Sequence, residues 1–132
     1  MPLRPRIDKG LAKREPRKRE GMDREHLAKV RQCPCAISGS TVGVEAHHLL
    51  RTGERGMSMK SPDKWAIPLK YDLHQALHDR GDEEAFLAEY GIDGRALARG
   101  LWAIRGKPVE HYRAVCFAFR QRAALKMRAA DG

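Results

Sequence analysis

Apolar positions recur at two different periods along this chain, and the changes of period mark its elements. Residues 22–32 predict a short helix, with Asp23 as its cap and Leu27 and Val30 on one side, ending where Cys33-Pro34-Cys35 begins. The period then shortens to two. Cys35 and Ile37, a Ser38-Gly39-Ser40 turn, and Val42, Val44 and Ala46 predict two short strands joined as a hairpin. Residues 49–65 show no periodicity, are rich in Gly, Ser, Met and Lys, and contain Pro62, so they predict a long surface loop. Ile67-Pro68-Leu69 gives a brief extended piece, after which Asp72-x-x-Gln75 has the form of a capping box opening a helix that stops before Gly81. A further helix starts at Asp82, carries Glu83 and Glu84 in its first turn, and buries Phe86, Leu87 and Tyr90 before Gly91 ends it. Asp93 caps the next, with Leu97, Leu101 and Ile104 at helical spacing. Pro108 fits the first turn of a long terminal helix in which Val109, Tyr112, Cys116, Phe119 and Ala123 form one stripe. A small hairpin surrounded by helices, with no internal repeat, belongs to the α+β class.

Size and charge narrow the picture. At 132 residues the chain is one domain with room for a tail. Residues 1–21 hold eight Lys/Arg against three acids, more than half of the formal net charge of +9, together with three prolines and little to bury. They read as a disordered basic arm that suits phosphate tracking, ahead of a domain over residues 22–132. So basic a surface attracts polyanions, which makes nucleic acid the first partner to consider. No apolar run reaches the length of a membrane span, and no apolar segment follows the basic N-terminus as a secretory signal requires. The 3 cysteines, Cys33, Cys35 and Cys116, are too few for a disulfide framework, so reduced thiols in a cytoplasmic protein are expected.

Of 6 histidines, four fall in two pairs. His74 and His78 stand four apart on a predicted helix, on one face, so both can reach a single cation, while Leu73 and Leu77 anchor the adjacent face. His47 and His48 are neighbours at the end of a predicted strand and point to opposite faces. Two roles are implied, one ligand and one free base. Taken alone, either pair is more often a solvated surface feature, and His26 and His111 are lone helix residues with no such implication. Trp65, Trp102, Phe117 and Phe119 offer surfaces for base stacking, but aromatics at helical spacing usually belong to a core.

A strand ending in Glu45-x-His47-His48, a Gly-containing loop and a helix with His74-x3-His78 resembles the HNH, or ββα-metal (His-Me finger), endonucleases. Ala46-His47-His48-Leu49, Lys60-Ser61-Pro62-Asp63, Ile67-Pro68-Leu69 and His74 look especially like small phage and prophage HNH proteins, including the recombination-enhancement nucleases. The resemblance covers about residues 33–78. It implies a ββα-metal core at about 33–80 with a helical extension at 82–130. It further implies metal ligands at His47, His74 and His78, His48 as general base, and Glu45 behind the ligands, orienting an imidazole or a nearby arginine. One divalent cation is implied. Three neutral nitrogens favour Zn, Ni, Co or Mn over Mg, which remains open if His78 swings away.

The implied reaction is hydrolysis of DNA phosphodiester bonds to 5′-phosphate and 3′-hydroxyl ends. His48 takes a proton from water provided that its other ring nitrogen is held by a backbone carbonyl. Arg51, Arg55, Lys60 and Lys64 lie between the two histidine pairs, placed to contact phosphates without reading sequence. A recombination protein is the partner that the resemblance suggests. The competing reading is a non-catalytic nucleic-acid-binding or recombination accessory protein with a structural metal, in which His48 serves as a fourth ligand. Two departures stand out. Cys35-x2-Ser38 and Lys70-x2-Leu73 occupy the places where many relatives carry paired Cys knuckles, so no structural zinc is expected, and Cys33 and Cys35 read as small buried hydrophobes. Trp65 occupies the place of the motif's central Asn. Asp63 is the nearest polar substitute, able to fix the loop by accepting backbone N–H bonds.

Overall fold

A computed structural model describes residues 21–50 and 62–131. The basic arm apart from Gly21, and the loop cations Arg51, Arg55 and Lys60, lie outside the described residues. The chain runs α1 (Arg24–Arg31), β1 (Val44–His48), a single 3-10 turn (Asp63–Trp65), β2 (Ala66–Lys70), α2 (Tyr71–Arg80), α3 (Glu83–Glu89), α4 (Gly94–Ala103) and α5 (Val109–Asp131). It is a mixed α+β fold. Among the described residues no helix is long and apolar enough to cross a membrane.

The sheet corrects the predicted hairpin. β1 pairs antiparallel with β2, which follows it in the chain, in a register that sets His47 opposite Ile67 and Glu45 opposite Leu69. The segment around Cys35 and Ile37 is a turn instead of a strand. Cys35 and Ala36 are both buried, and the Gly39 N–H closes the turn onto the Cys35 carbonyl at 2.9 Å. That segment docks against the outer edge of β2, where the Ala36 N–H donates to the Pro68 carbonyl at 2.9 Å. Because a residue's N–H and C=O leave a strand on the same side, Pro68 lacks its N–H where β1 has no need of it.

Helix boundaries follow local chemistry, with one exception. Asp23, Asp82 and Asp93 each cap a helix through a side-chain oxygen, accepting from the N–H of His26, Ala85 and Ala96 respectively. Gly81 ends α2 in the left-handed region at φ 81°. The predicted capping box at Asp72 does not form, because pairing of β2 runs to Lys70 and the Tyr71 N–H donates to the Gly43 carbonyl, turning the chain straight into α2. Tyr90, expected inside, is 40% exposed, while the next residue, Gly91, lies so close to α5 that an added Cβ would stand 3.1 Å from the Ala123 carbonyl.

Val30, Leu49, Ile67, Leu69, Leu77, Leu87, Leu97, Leu101 and Tyr112 form the centre of the core, joining the sheet to all five helices. Phe117 departs from the expected core aromatics and is 55% exposed, while Trp65 and Phe119 are partly buried against the core. All three cysteines are free and buried. The contact with Cys33 and then burial raise the Cys116 thiol far above its ordinary range, which makes it inert.

His26, a lone helix residue whose alternatives from sequence are a surface or a core position, lies deep in this core. Its Nδ1 meets the Tyr112 hydroxyl at 2.6 Å, its ring stands edge-on to Trp102, and its Nε2 has no hydrogen-bond partner among the described residues. Burial lowers its pKa to about 4 and raises that of Tyr112 to about 12. A depressed histidine pKa means that the unfolded chain binds the proton more readily. The stability His26 contributes is therefore full above pH 6.5 and is lost as pH falls toward 4. The expected loss is up to ~3 kcal/mol at the acid end, read as a fall in urea midpoint across that window that is flatter in His26→Gln.

Candidate metal centre and adjoining histidine–aspartate pair

β1 delivers His47 and His48 to opposite sides of the sheet, as strand geometry requires. His47 is 1% exposed and faces α2, whose Leu77 is buried in the core while His74 and His78 sit one turn apart on another face. Ring centroids of His47 and His74 are 4.7 Å apart, those of His74 and His78 4.7 Å, and those of His47 and His78 6.0 Å. One nitrogen from each ring lies within 4.8 Å of the others, and among the described residues this is the group of metal-ligating side chains that can hold an ion.

The donor set fits a divalent cation of the zinc type. The His74 and His78 Nε2 atoms stand 3.0 Å apart, close to the roughly 3.3 Å that bonds near 2.0 Å at tetrahedral angles produce. Burial, then the neighbouring His47, lower the His74 pKa against the opposing hydrogen bond to Glu45, so this ring is neutral and its lone pair available near neutrality. Carboxylates stand behind two of the rings. Glu45 Oε1 lies 3.3 Å from His74 Nδ1. Glu83 Oε1 lies 2.5 Å from His47 Nε2, and Glu83 Oε2 accepts the Leu50 N–H at 3.0 Å.

Sequence reasoning missed Glu83. It reads as one of two acids in the first turn of α3, yet Glu84 points to solvent and pairs with Arg95 while Glu83 is 8% exposed. No periodicity separates the two. The available signal is chemical: a buried histidine near the end of a strand needs a partner for its second nitrogen.

On the other side of β1, His48 Nε2 meets Asp63 Oδ1 at 2.9 Å, and Asp63 Oδ2 accepts the Asp23 N–H at 2.9 Å. Asp63 does accept a backbone N–H, but from the cap of α1, and it also holds an imidazole. The group behind His48 is thus a buried carboxylate where a backbone carbonyl was expected. His48 remains about one-third exposed and stands outside the three-histidine group. Lys64 lies in the 3-10 turn beside it, its N–H bonded to the Gly21 carbonyl and its ammonium 5.9 Å from the Trp65 ring centre. His111 is exposed on α5.

A mixed α+β chain with a three-imidazole pocket able to hold a cation is the class this geometry defines. The chain belongs to a protein family of unknown function (DUF968), whose family model matches residues 11–103. It is similar to the uncharacterized protein YdfU of Escherichia coli (strain K12), 34% identical over 97 residues that make up 67% of this chain and 27% of YdfU. The chain thus spans about a quarter of that relative's length. No solved structure matches.

Proposed function

We propose that the chain is a metal-dependent endonuclease of the HNH, ββα-metal, type that hydrolyses DNA phosphodiester bonds. The observation that carries this reading is the division of labour among four imidazoles. His47, His74 and His78 converge from β1 and α2, while His48, adjacent to His47, is left off that group and backed by a carboxylate. The order β1, loop, β2, α2 supports a ββα-metal core, with α3 to α5 as its helical extension. The excess of basic side chains ahead of and within the domain supports DNA as the partner. Three reduced thiols suit a cytoplasmic setting.

His47, His74 and His78 would hold one divalent cation, Zn, Ni or Mn before Mg, which when bound neutralises charge on the scissile phosphate and on the leaving 3′ oxygen. His48 acts as the base. Asp63 fixes the proton on Nε2, so Nδ1 keeps its lone pair and can take a proton from a water that reaches this partly exposed ring. The Asp63 carboxylate then stabilises the imidazolium so formed. Glu45 orients His74. Arg51, Arg55, Lys60 and Lys64 supply phosphate contacts without sequence readout, so binding weakens steeply as salt rises.

Nicking of supercoiled plasmid by the metal-stripped chain, resupplied in turn with Mg, Mn, Zn and Ni, tests the proposal. Cation-dependent nicking that EDTA abolishes is the expected result. Tight cation binding without cleavage, with naked DNA or with a recombinase filament on DNA, would instead identify a non-catalytic nucleic-acid-binding or recombination accessory protein with a structural metal.

A further inference from the structure

Glu83 comes from α3, outside both the strand and the helix that supply the three clustered imidazoles. Its carboxylate is nearly buried, and both oxygens are committed, one to a ring nitrogen of His47 and one to the backbone of Leu50. Burying a carboxylate this far is costly unless it is doubly bonded, so the arrangement has to be explained by what it holds in place. An ionised carboxylate only accepts hydrogen bonds. The His47 nitrogen facing it at 2.5 Å therefore carries a proton, and in the neutral ring the remaining nitrogen, Nδ1, keeps the lone pair. Leu50 follows closely on the end of β1 at His48, so the same side chain also anchors the chain where it leaves the strand.

We propose that Glu83 is a positioning residue of the metal centre. It locks His47 in the Nε2–H tautomer and in one ring orientation, and it couples cation affinity to the docking of α3 and to the backbone at Leu50. This inference rests on the reading of His47, His74 and His78 as ligands. It differs from the role of Glu45, which is 46% exposed at its side chain and backs His74 from within the strand itself. Of the two carboxylates, the buried one cannot be replaced by water, so its loss is felt more strongly.

The informative variant is Glu83→Gln. Its amide has one acceptor oxygen where the carboxylate had two, so it cannot take the Leu50 N–H and the His47 Nε2–H together. If the oxygen stays on Leu50, the amide NH2 faces His47 and drives the proton to Nδ1, the nitrogen left for the cation. Titration of the metal-stripped full chain with Zn or Ni should then show affinity about 10- to 100-fold weaker than wild type. Exposed Glu84→Gln on the same turn should bind as wild type does. Nitrogen-15 shifts of the histidine rings at about pH 8, where imidazoles are neutral, should report His47 protonated on Nε2 in the wild-type chain and on Nδ1 in Glu83→Gln. Wild-type affinity in a folded Glu83→Gln variant overturns the inference, as does a wild-type His47 protonated on Nδ1. The ring-tautomer measurement needs neither the variant nor a cation, so it decides the Glu83 assignment even if the variant does not fold. Failure of the wild-type chain to bind any of the cations would sink the metal reading while leaving the His47–Glu83 tautomer result standing on its own.

Discussion

Replacing His48 by alanine is expected to reduce cation-dependent plasmid nicking by about 100- to 10,000-fold, the range that a lost general base removes, with cation affinity within a factor of a few of wild type. The two halves of this expectation come from one strand. His47 and His48 are neighbours, but β-alternation sends one ring to the three-histidine group and the other to Asp63. A side chain outside the ligand group can be removed without disturbing that group. The substitution also leaves Asp63 buried with one oxygen free, while its other oxygen keeps the Asp23 N–H, so a modest fall in stability accompanies the catalytic loss. Far-UV spectra and a thermal scan separate the two effects. Nicking at the wild-type rate would remove His48 from the mechanism. A collapse of cation affinity would show that it is a ligand, which is the signature of a closed structural site.

The complementary substitution, His74→Ala, should do the reverse of leaving the cation in place. His74 is the middle ring of the cluster, in contact with both His47 and His78, and burial and its neighbours hold it neutral. Removing it leaves His47 and His78 with ring centres 6.0 Å apart and no third nitrogen between them. A cation present at about a hundred times its dissociation constant stabilises a folded chain by about 2.7 kcal/mol, which for a domain of this size is a rise of order 10 °C in Tm. That rise should appear with Zn or Ni in the wild-type chain and vanish in His74→Ala, with nicking lost in parallel. Because the metal-free variant should melt close to metal-free wild type, the measurement isolates ligation from folding. A cation-induced rise that survives the substitution would place the ion elsewhere.

How far such a site can be read along the chain depends on the range of the interaction that makes each part of it. The His74 and His78 pair was legible because four residues make one helical turn, and Leu73 and Leu77 showed which side of that helix faces inward. The opposite facing of His47 and His48 was legible for the same kind of reason. The strand partner was not. Val44 and Ala46 alternate as strand residues do, but alternation says nothing about whether the partner lies seven residues upstream or twenty downstream. The nearer candidate around Cys35 proved to be a buried turn. Tyr90 and Phe117 likewise fit the apolar spacing of their helices, yet both are exposed.

Local chemistry along the chain settled where helices begin and end, at Asp23, Asp82, Asp93, Gly81 and Gly91, and which histidines share a helix face. These depend on neighbours within one turn, where residue type alone sets the geometry. Folding in three dimensions decided the pairing of β1 with β2, the meeting of His47 with Glu83 across 36 positions, of His48 with Asp63 across 15, and of His26 with Tyr112 across 86. In each of the three side-chain pairs at least one member is buried, Glu83 with His47 in the first, Asp63 in the second and His26 in the third, and meets a partner that offsets its desolvation. That partner is set by how helices and strands pack, a property no local window of residues contains.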